Sequence, residues 1–173
     1  TKAIIRNSCL KLLKKKPVDK ITVTELCEMA EINRATFYSH YNDCFDLLQN
    51  IEDSFLEQFK GTGKTKQWND PRELITAIYD TIDENIDICE TLIFNVKTPT
   101  LLTKMIATAR DYSMSRWKEH LPSLSDDRQE MLFIHLSTGL SAVMRSCYKT
   151  HSREELIDFM VEITNNCLAP YKK

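Results

Sequence analysis

The sequence has 173 residues, of which 42% are hydrophobic, and its formal net charge is −2. A chain of this length and composition can bury a hydrophobic core, so we start from a globular protein of one or two domains. It contains only three Gly and five Pro, well below ordinary usage. This composition favours helices joined by short connections over a strand-rich fold.

Six cysteines occur singly along the chain: Cys9, Cys27, Cys44, Cys89, Cys147 and Cys167. They form no Cys-x-x-Cys pair and no zinc-finger spacing with His, so we expect no metal site and interpret them as free thiols in a reducing cytosol. No apolar run approaches the roughly 18 residues that span a bilayer, and no signal peptide opens the sequence. We therefore expect a cytoplasmic protein that does not contact the membrane. Because the sequence starts at Thr1 and not at Met, we expect a few native residues to precede it.

The charge is distributed unevenly along the chain. Residues 1–41 contain eight Lys or Arg and four Asp or Glu, a net of +4, which leaves −6 for the remainder of a chain with a net charge of −2. This asymmetry indicates a segment that binds a polyanion, attached to an acidic body; a solvated basic helix is the alternative interpretation.

Helical patterns begin near the N-terminus. Apolar residues at helical spacing predict a first helix from Ala3 to Leu13. Thr22 and Glu25 have capping-box spacing, which predicts a second helix from about Val23 to about Ala30.

Two further helices are predicted to follow. Asn33 is expected to cap a short third helix that ends near Tyr41. Asn42 or Asp43 is expected to cap a fourth, with Phe45, Leu48, Ile51, Phe55, Leu56 and Phe59 on its apolar side. Gly61 and Gly63 are expected to end this helix, and residues 61–69 are predicted to form a loop.

The second half continues the helical pattern. Asp70-Pro71 predicts the start of a helix with Leu74, Ile75, Ile78, Ile82 and Ile86 on its buried face. A short piece follows at Glu90 to Val96, and then helices at 99–120, 125–149 and 152–169. The prediction is an all-α protein of about nine helices, with a three-helix head at 1–45 and a helical bundle at 46–173.

The second and third helices have the spacing of a helix-turn-helix, in which the second helix of the pair enters the major groove of DNA. Their inner faces offer apolar residues such as Leu26, Ala30 and Phe37 to fix the angle between them. The outer face of the third helix carries Arg34, Thr36, Ser39 and His40, and Thr22 and Asn33 stand at helix N-termini, where amides can meet phosphates.

Two segments closely resemble the signature of the tetracycline-repressor (TetR/AcrR) family of bacterial regulators: Ile21-Thr22-Val23-Thr24-Glu25-Leu26 and Asn33-Arg34-Ala35-Thr36-Phe37-Tyr38-Ser39-His40-Tyr41. The resemblance extends through Asp46-Leu47-Leu48 and covers about the first third of the chain. It implies that Thr22, Thr24, Tyr38 and His40 contact phosphates. It also implies that Arg34, Ala35 and Thr36 approach base edges, Arg34 toward guanine and the Thr36 methyl toward thymine. Glu31 replaces the usual Gly of the turn, and Cys44 replaces a frequent Lys that contacts phosphate.

The last two helices are apolar over a broad arc, so we expect them to form half of a four-helix interface with a second copy, as the resemblance also implies. A monomer core is the alternative. The residues expected at the dimer interface are Leu136, Leu140, Val143, Met144, Leu156, Met160 and Ile163. Two recognition helices about 34 to 36 Å apart can then bind a palindromic operator in double-stranded DNA.

The resemblance further implies an effector site among the middle helices. The candidate lining residues are Tyr79, Ile82, Ile86, Phe94, Met105, Tyr112, Trp117, His120 and His135. Each of them also fits an ordinary helical core. The sequence therefore predicts neither the chemistry of a small-molecule effector nor its existence.

No motif of an enzyme occurs in the sequence: there is no Gly-rich phosphate loop, nucleophile elbow or His-Glu-x-x-His. We expect a regulator without enzyme activity, cofactor or bound metal. The resemblance favours a repressor. Glu31, Cys44 and the acidic body motivate the alternative, a co-activator or adaptor of the same fold that acts through protein contacts.

Overall fold

The computed structural model describes residues 1–64, 70–96 and 99–171, without the side chains of residues 62–64. Within these ranges the chain is helical and has no strand, as predicted. The nine α-helices of the described ranges are α1 (Lys2–Leu13), α2 (Val23–Ala30), α3 (Arg34–Tyr38), α4 (Cys44–Lys64), α5 (Pro71–Glu84), α6 (Ile86–Cys89), α7 (Thr100–His120), α8 (Asp126–Cys147) and α9 (Arg153–Leu168). A π-helical turn at Glu90–Phe94 continues α6.

Three helix boundaries differ from the predictions. The third helix ends at Tyr38, before the predicted end near Tyr41. α4 continues through Gly61 to Lys64. A glycine inside a helix costs about 1 kcal/mol but, unlike proline, does not block the helix sterically. The predicted loop therefore begins later, and residues 65–69 lie outside the described residues. Ile86 starts α6 and is 40% exposed, so it does not belong to the buried face of α5.

The capping box predicted at α2 forms in part, and a second capping box, at α9, is complete. At α9 both halves are present: Ser152 Oγ accepts from Glu155 N, and the Glu155 carboxylate accepts from Ser152 N at 2.8 Å. At α2, Thr22 Oγ1 accepts from Glu25 N at 3.2 Å. The Glu25 carboxylate accepts from Lys16 Nζ at 2.5 Å, which ties the start of α2 to the segment that follows α1.

The turn between α2 and α3 is built on a left-handed residue. Glu31 has φ 53° and ψ 42°, and it is the one non-glycine residue with positive φ in the described part of the chain. This conformation lets Glu31 N donate to Glu28 O at 3.3 Å and Ile32 N donate to Cys27 O at 3.0 Å, which completes the last turn of α2. The turn therefore keeps the geometry that glycine adopts freely, at a steric cost to glutamate.

One hydrophobic core runs from the head into the body. It includes Ile5 and Phe37 of the head, Ile51 of α4, Ile93 after α6 and Met160 of α9. α4 begins in the head and packs against α5 and α7, so this helix is shared by both parts. The division at residues 45 and 46 remains a prediction, since the core is continuous across it.

Ion pairs also join the head to the body. Lys14, just after α1, lies 3.3 Å from the Asp87 carboxylate and 3.7 Å from that of Glu90. Within the body, the buried Glu52 carboxylate of α4, the helix shared by both parts, accepts from Lys104 Nζ of α7 at 2.5 Å. In the described ranges, no helix combines the length and apolar character that crossing a bilayer requires.

Candidate functional site

α2 and α3 pack against each other through a small apolar core. Leu26, Cys27 and Ala30 of α2 and Phe37 of α3 are all buried. The Phe37 ring meets those of Tyr38 and Tyr41 at centroid distances of 5.5 and 5.9 Å. Phe37 therefore fixes α3 against the head, as expected for an inward aromatic residue.

The structure exposes most of the residues that are expected to contact DNA. Thr36 is half-buried. The others are exposed: Thr22, Thr24, Asn33, Arg34, Ala35, Tyr38, Ser39 and His40. A surface of hydroxyl, imidazole and guanidinium groups on a short helix is available to a large partner.

Arg34 and Tyr38 form a pair on successive turns of α3. Arg34 Nη2 donates to Tyr38 Oη at 3.2 Å, and the guanidinium carbon lies 5.8 Å from the centroid of the tyrosine ring. The hydrogen bond with Tyr38 raises the pKa of Arg34, so the guanidinium stays charged. Tyr38 is 49% exposed, and the pair presents one cation and one hydroxyl side by side on the surface.

Asn33, Thr36 and Ser39 hold the backbone of α3. Asn33 Oδ1 accepts from Thr36 N at 2.8 Å and from Thr36 Oγ1 at 3.0 Å. Ser39 Oγ donates to Thr36 O at 2.8 Å. In this state the Thr36 hydroxyl is used within the helix cap, which leaves its methyl group as the part suited to an apolar contact.

The start of α4 differs from its sequence-based prediction. Phe45, expected on the apolar side of the helix, is 56% exposed, while Cys44 before it is buried. Burial raises the pKa of the Cys44 thiol, so the position carries neither the positive charge of a lysine nor a thiolate. Helical spacing alone does not distinguish Phe45 from the inward residues, because it lies beside the apolar stripe.

A cavity of about 360 Å³ lies in the body, lined by α5, α7, α8 and α9 and by Phe59 of α4. Five candidate effector residues line it: Tyr79, Met105, Tyr112, Trp117 and His120. Four do not. Ile82 is buried elsewhere in the core, Phe94 stacks on Tyr148 at a centroid distance of 3.9 Å, and Ile86 and His135 are exposed.

Polar side chains interrupt the apolar lining of this cavity. Tyr79, Tyr112 and Thr164 line it, and their hydroxyls are buried without a hydrogen-bond partner among the described residues. Arg116, one turn beyond Tyr112 on α7, also lines it. Sequence reasoning missed Thr164 and Arg116; the i, i+4 spacing of Tyr112 and Arg116 places them on one face of α7 and was the available signal.

The residues predicted at the dimer interface lie on α8 and α9. Leu136, Met144, Leu156 and Met160 are buried within the single chain. Leu140, Val143 and Ile163 are half-buried. The large apolar residues that α8 and α9 expose are Met131 (68%), Ile134 (55%) and Phe159 (45%).

No protein-family model matches the chain, and no curated protein sequence matches it significantly. Solved structures resemble it over almost their whole length. A TetR transcriptional regulator from Streptococcus agalactiae 2603V is 22% identical, with a TM-score of 0.68 over 94% of this chain and 92% of that chain. SmeT, the repressor of the Stenotrophomonas maltophilia multidrug efflux pump SmeDEF, is 14% identical, with a TM-score of 0.69 over 100% of this chain and 91% of that chain.

A third similar structure is the dihydroxyacetone kinase operon activator DhaS, which is 16% identical, with a TM-score of 0.67 over 99% of this chain and 98% of that chain. These proteins are named as regulators of transcription. The chain therefore has the all-α fold of the TetR-family regulators.

Proposed function

We propose, from the TetR-family regulator fold and the exposed surface of α3, that the chain is a dimeric, sequence-specific DNA-binding regulator that acts as a repressor. The observation that carries this proposal is the Arg34–Tyr38 pair, which lies outward on a helix that the buried Phe37 holds in place. Arg34 can reach guanine O6 and N7 in the major groove, and the Tyr38 hydroxyl can donate to phosphate.

The surrounding groups suit the phosphate backbone. Thr22 and Thr24 at the start of α2 and His40 after α3 are exposed. Hydroxyls and imidazoles at such positions fix the register of a protein on the duplex, while the side chains of α3 approach the bases. The net charge of +4 on residues 1–41 favours the approach of this end of the chain to DNA.

The proposed dimer surface is the outer face of α8 and α9, defined by Met131, Ile134 and Phe159. Thr138, Gly139 and Ala142 continue this face on α8, and space is open around Gly139, so another helix can approach closely. Exposed apolar residues flanked by small ones on two adjacent helices match a self-complementary surface. A second copy would cover it and place two recognition helices on successive major grooves.

One observation favours a second candidate function, an adaptor of the same fold that acts through protein contacts. Where the resemblance implies a phosphate-binding lysine, the chain has a buried thiol, and the exposed Phe45 follows it. An exposed phenyl group at this place suits an apolar protein surface better than a phosphate.

Selection from a pool of random duplexes, repeated at several salt concentrations, tests the proposal. We expect the protein to select a palindrome. Arg34→Ala should relax the preference at one base of each half-site and cost about 1–3 kcal/mol there. Arg110→Ala is the matched control, because Arg110 pairs with Glu130 in the body, far along the chain from α3.

Tyr38→Phe separates two roles of the tyrosine hydroxyl. If it contacts phosphate, the variant binds all sequences less tightly by a similar factor. If it only orients Arg34, the variant loses preference at the same base as Arg34→Ala, and the double variant adds nothing further. Absence of binding to any duplex at low salt, by a folded dimer with its native N-terminus, would contradict DNA binding and favour the adaptor.

A further inference from the structure

The body cavity has the size of a site for a small molecule. Its volume of about 360 Å³ lies within the range of about 300–1,000 Å³ that ligand sites occupy. The walls are mainly apolar and include Leu74, Ile78, Met105, Leu140 and Met160. The occupant must therefore be largely apolar, because these side chains provide no partner for the polar groups of a sugar or nucleotide.

Three residues in the walls have hydroxyls that lack a partner in the described part of the chain. Tyr79 is only 5% exposed, and its hydroxyl, together with those of Tyr112 and Thr164, is buried without a hydrogen bond among the described residues. Burial and the Asp83 carboxylate raise the pKa of Tyr79 to about 12, so this hydroxyl keeps its proton and can donate. A buried hydroxyl without a partner is costly, which favours an occupant that brings an oxygen atom.

The charges at the cavity favour an anion over a cation. Arg116 lines it with a side chain that is 20% exposed, and its ion pair with Glu119 has a separation of 3.7 Å. The carboxylate that lines the cavity, Asp70, accepts from Arg72 N at 2.9 Å and caps α5. Tyr112 and Arg116 are one helical turn apart, so both can reach the two oxygens of one carboxylate.

We propose that this cavity binds an apolar monocarboxylic acid, with the carboxylate between the Tyr112 hydroxyl and the Arg116 guanidinium and the hydrocarbon part along the apolar walls. Binding of the acid to the cavity does not require DNA. The expected consequence of that binding, a change in affinity for the operator, rests on the proposed function. Phe59 lines the cavity on α4, the helix that begins in the head, so an occupant would contact a helix that both parts share.

Calorimetric titration of the purified protein with three probes of equal chain length tests the charge preference. The probes are decanoate, 1-decanol and decyltrimethylammonium, each kept below the concentration at which it forms micelles. Trp117 lines the cavity, so its fluorescence in a Trp68→Phe background gives a second readout. Decanoate is expected to bind about tenfold or more tightly than either of the others.

Two variants assign the carboxylate contacts. Arg116→Gln is expected to reduce decanoate affinity by about tenfold while leaving 1-decanol within about twofold, since only the charged hydrogen bond is lost. Tyr112→Phe is expected to weaken decanoate by about threefold to tenfold. Arg110→Gln on the same helix and Tyr148→Phe against Phe94 are the matched controls, since neither residue lines the cavity, and both should bind as the parent does.

Leu140→Trp fills the cavity and is expected to abolish binding of all three probes; its thermal unfolding is compared with that of the parent. Equal or tighter binding of the cation, or an unchanged preference for decanoate in Arg116→Gln, overturns the proposal. The same preparations are titrated with the selected duplex. Decanoate binding without duplex binding supports the cavity assignment and contradicts the DNA-binding proposal, whereas duplex binding without decanoate binding overturns the cavity assignment alone.

Discussion

Lys104 Nζ of α7 lies 2.5 Å from a carboxylate oxygen of Glu52 on α4, and Glu52 is only 5% exposed. The Thr100 hydroxyl lies 3.4 Å from the other oxygen of the same carboxylate. This buried acid therefore depends on α7 for its partners, and it joins the helix that begins in the head to the body.

Removal of the lysine leaves the Glu52 carboxylate without its cation. We expect Lys104→Met to lower the free energy of unfolding by about 1–3 kcal/mol, because an unpaired buried charge is costly. The double variant Glu52→Leu/Lys104→Met should recover most of this loss, since an apolar pair replaces the ion pair. Urea unfolding of the four proteins of this cycle measures the coupling; additive effects would contradict it.

Replacement of Glu31 by glycine should stabilise the turn before α3. Glu31 is held at φ 53°, a conformation that costs L-residues about 1–2 kcal/mol and glycine little. We expect Glu31→Gly to raise the free energy of unfolding by about 1 kcal/mol and the Tm by about 2–4 °C. Calorimetry checks this. Glu31→Ala is the control: it removes the carboxylate but keeps Cβ, so an equal gain in that variant would show that strain is not the cause.

The proposed dimer surface predicts a change of oligomeric state. Ile134 is 55% exposed on the outer face of α8, so Ile134→Lys should fold normally but place a charge where the second copy packs. We expect sedimentation analysis to show monomers at concentrations at which the parent is dimeric. Ile86→Lys is the matched control, since Ile86 is 40% exposed on α6 and should leave the dimer intact. A parent that is monomeric at all concentrations would contradict the proposal.

Alkaline pH should destabilise the protein through its buried cysteine thiols. Burial raises the pKa of Cys9 and Cys89 from 9.0 to about 12. A group whose folded pKa is raised contributes stability that is complete below its unfolded pKa and is lost as the pH rises toward the folded value. We therefore expect the free energy of unfolding to fall between about pH 9 and pH 12.

Urea unfolding at intervals from pH 7 to pH 11 measures this dependence. The variant Cys89→Ala lacks one of the two thiols and should show a shallower decline than the parent. Cys167→Ala is the comparison, because Cys167 is only half-buried at the end of α9. A decline in Cys89→Ala as steep as in the parent would exclude this thiol as a source.

Local chemistry made the head predictable from sequence. α2 begins at Val23 behind the Thr22 cap and ends at Ala30, as predicted, and Asn33 caps α3 through Thr36 N at 2.8 Å. These features depend on residues within four positions of one another, so the sequence contains all that they require. The low Gly and Pro content likewise indicated the all-α class.

The tertiary structure decided which sides of the helices face inward. α8 is apolar over a broad arc, so periodicity could not distinguish the buried Leu136 and Met144 from the exposed Met131 and Ile134. The partner of Glu52 lies 52 residues away on α7, and the cavity that Tyr79, Tyr112 and Thr164 share requires three separate helices to meet. Contacts between residues distant in sequence depend on how the helices pack, and one helix's pattern does not specify its neighbour.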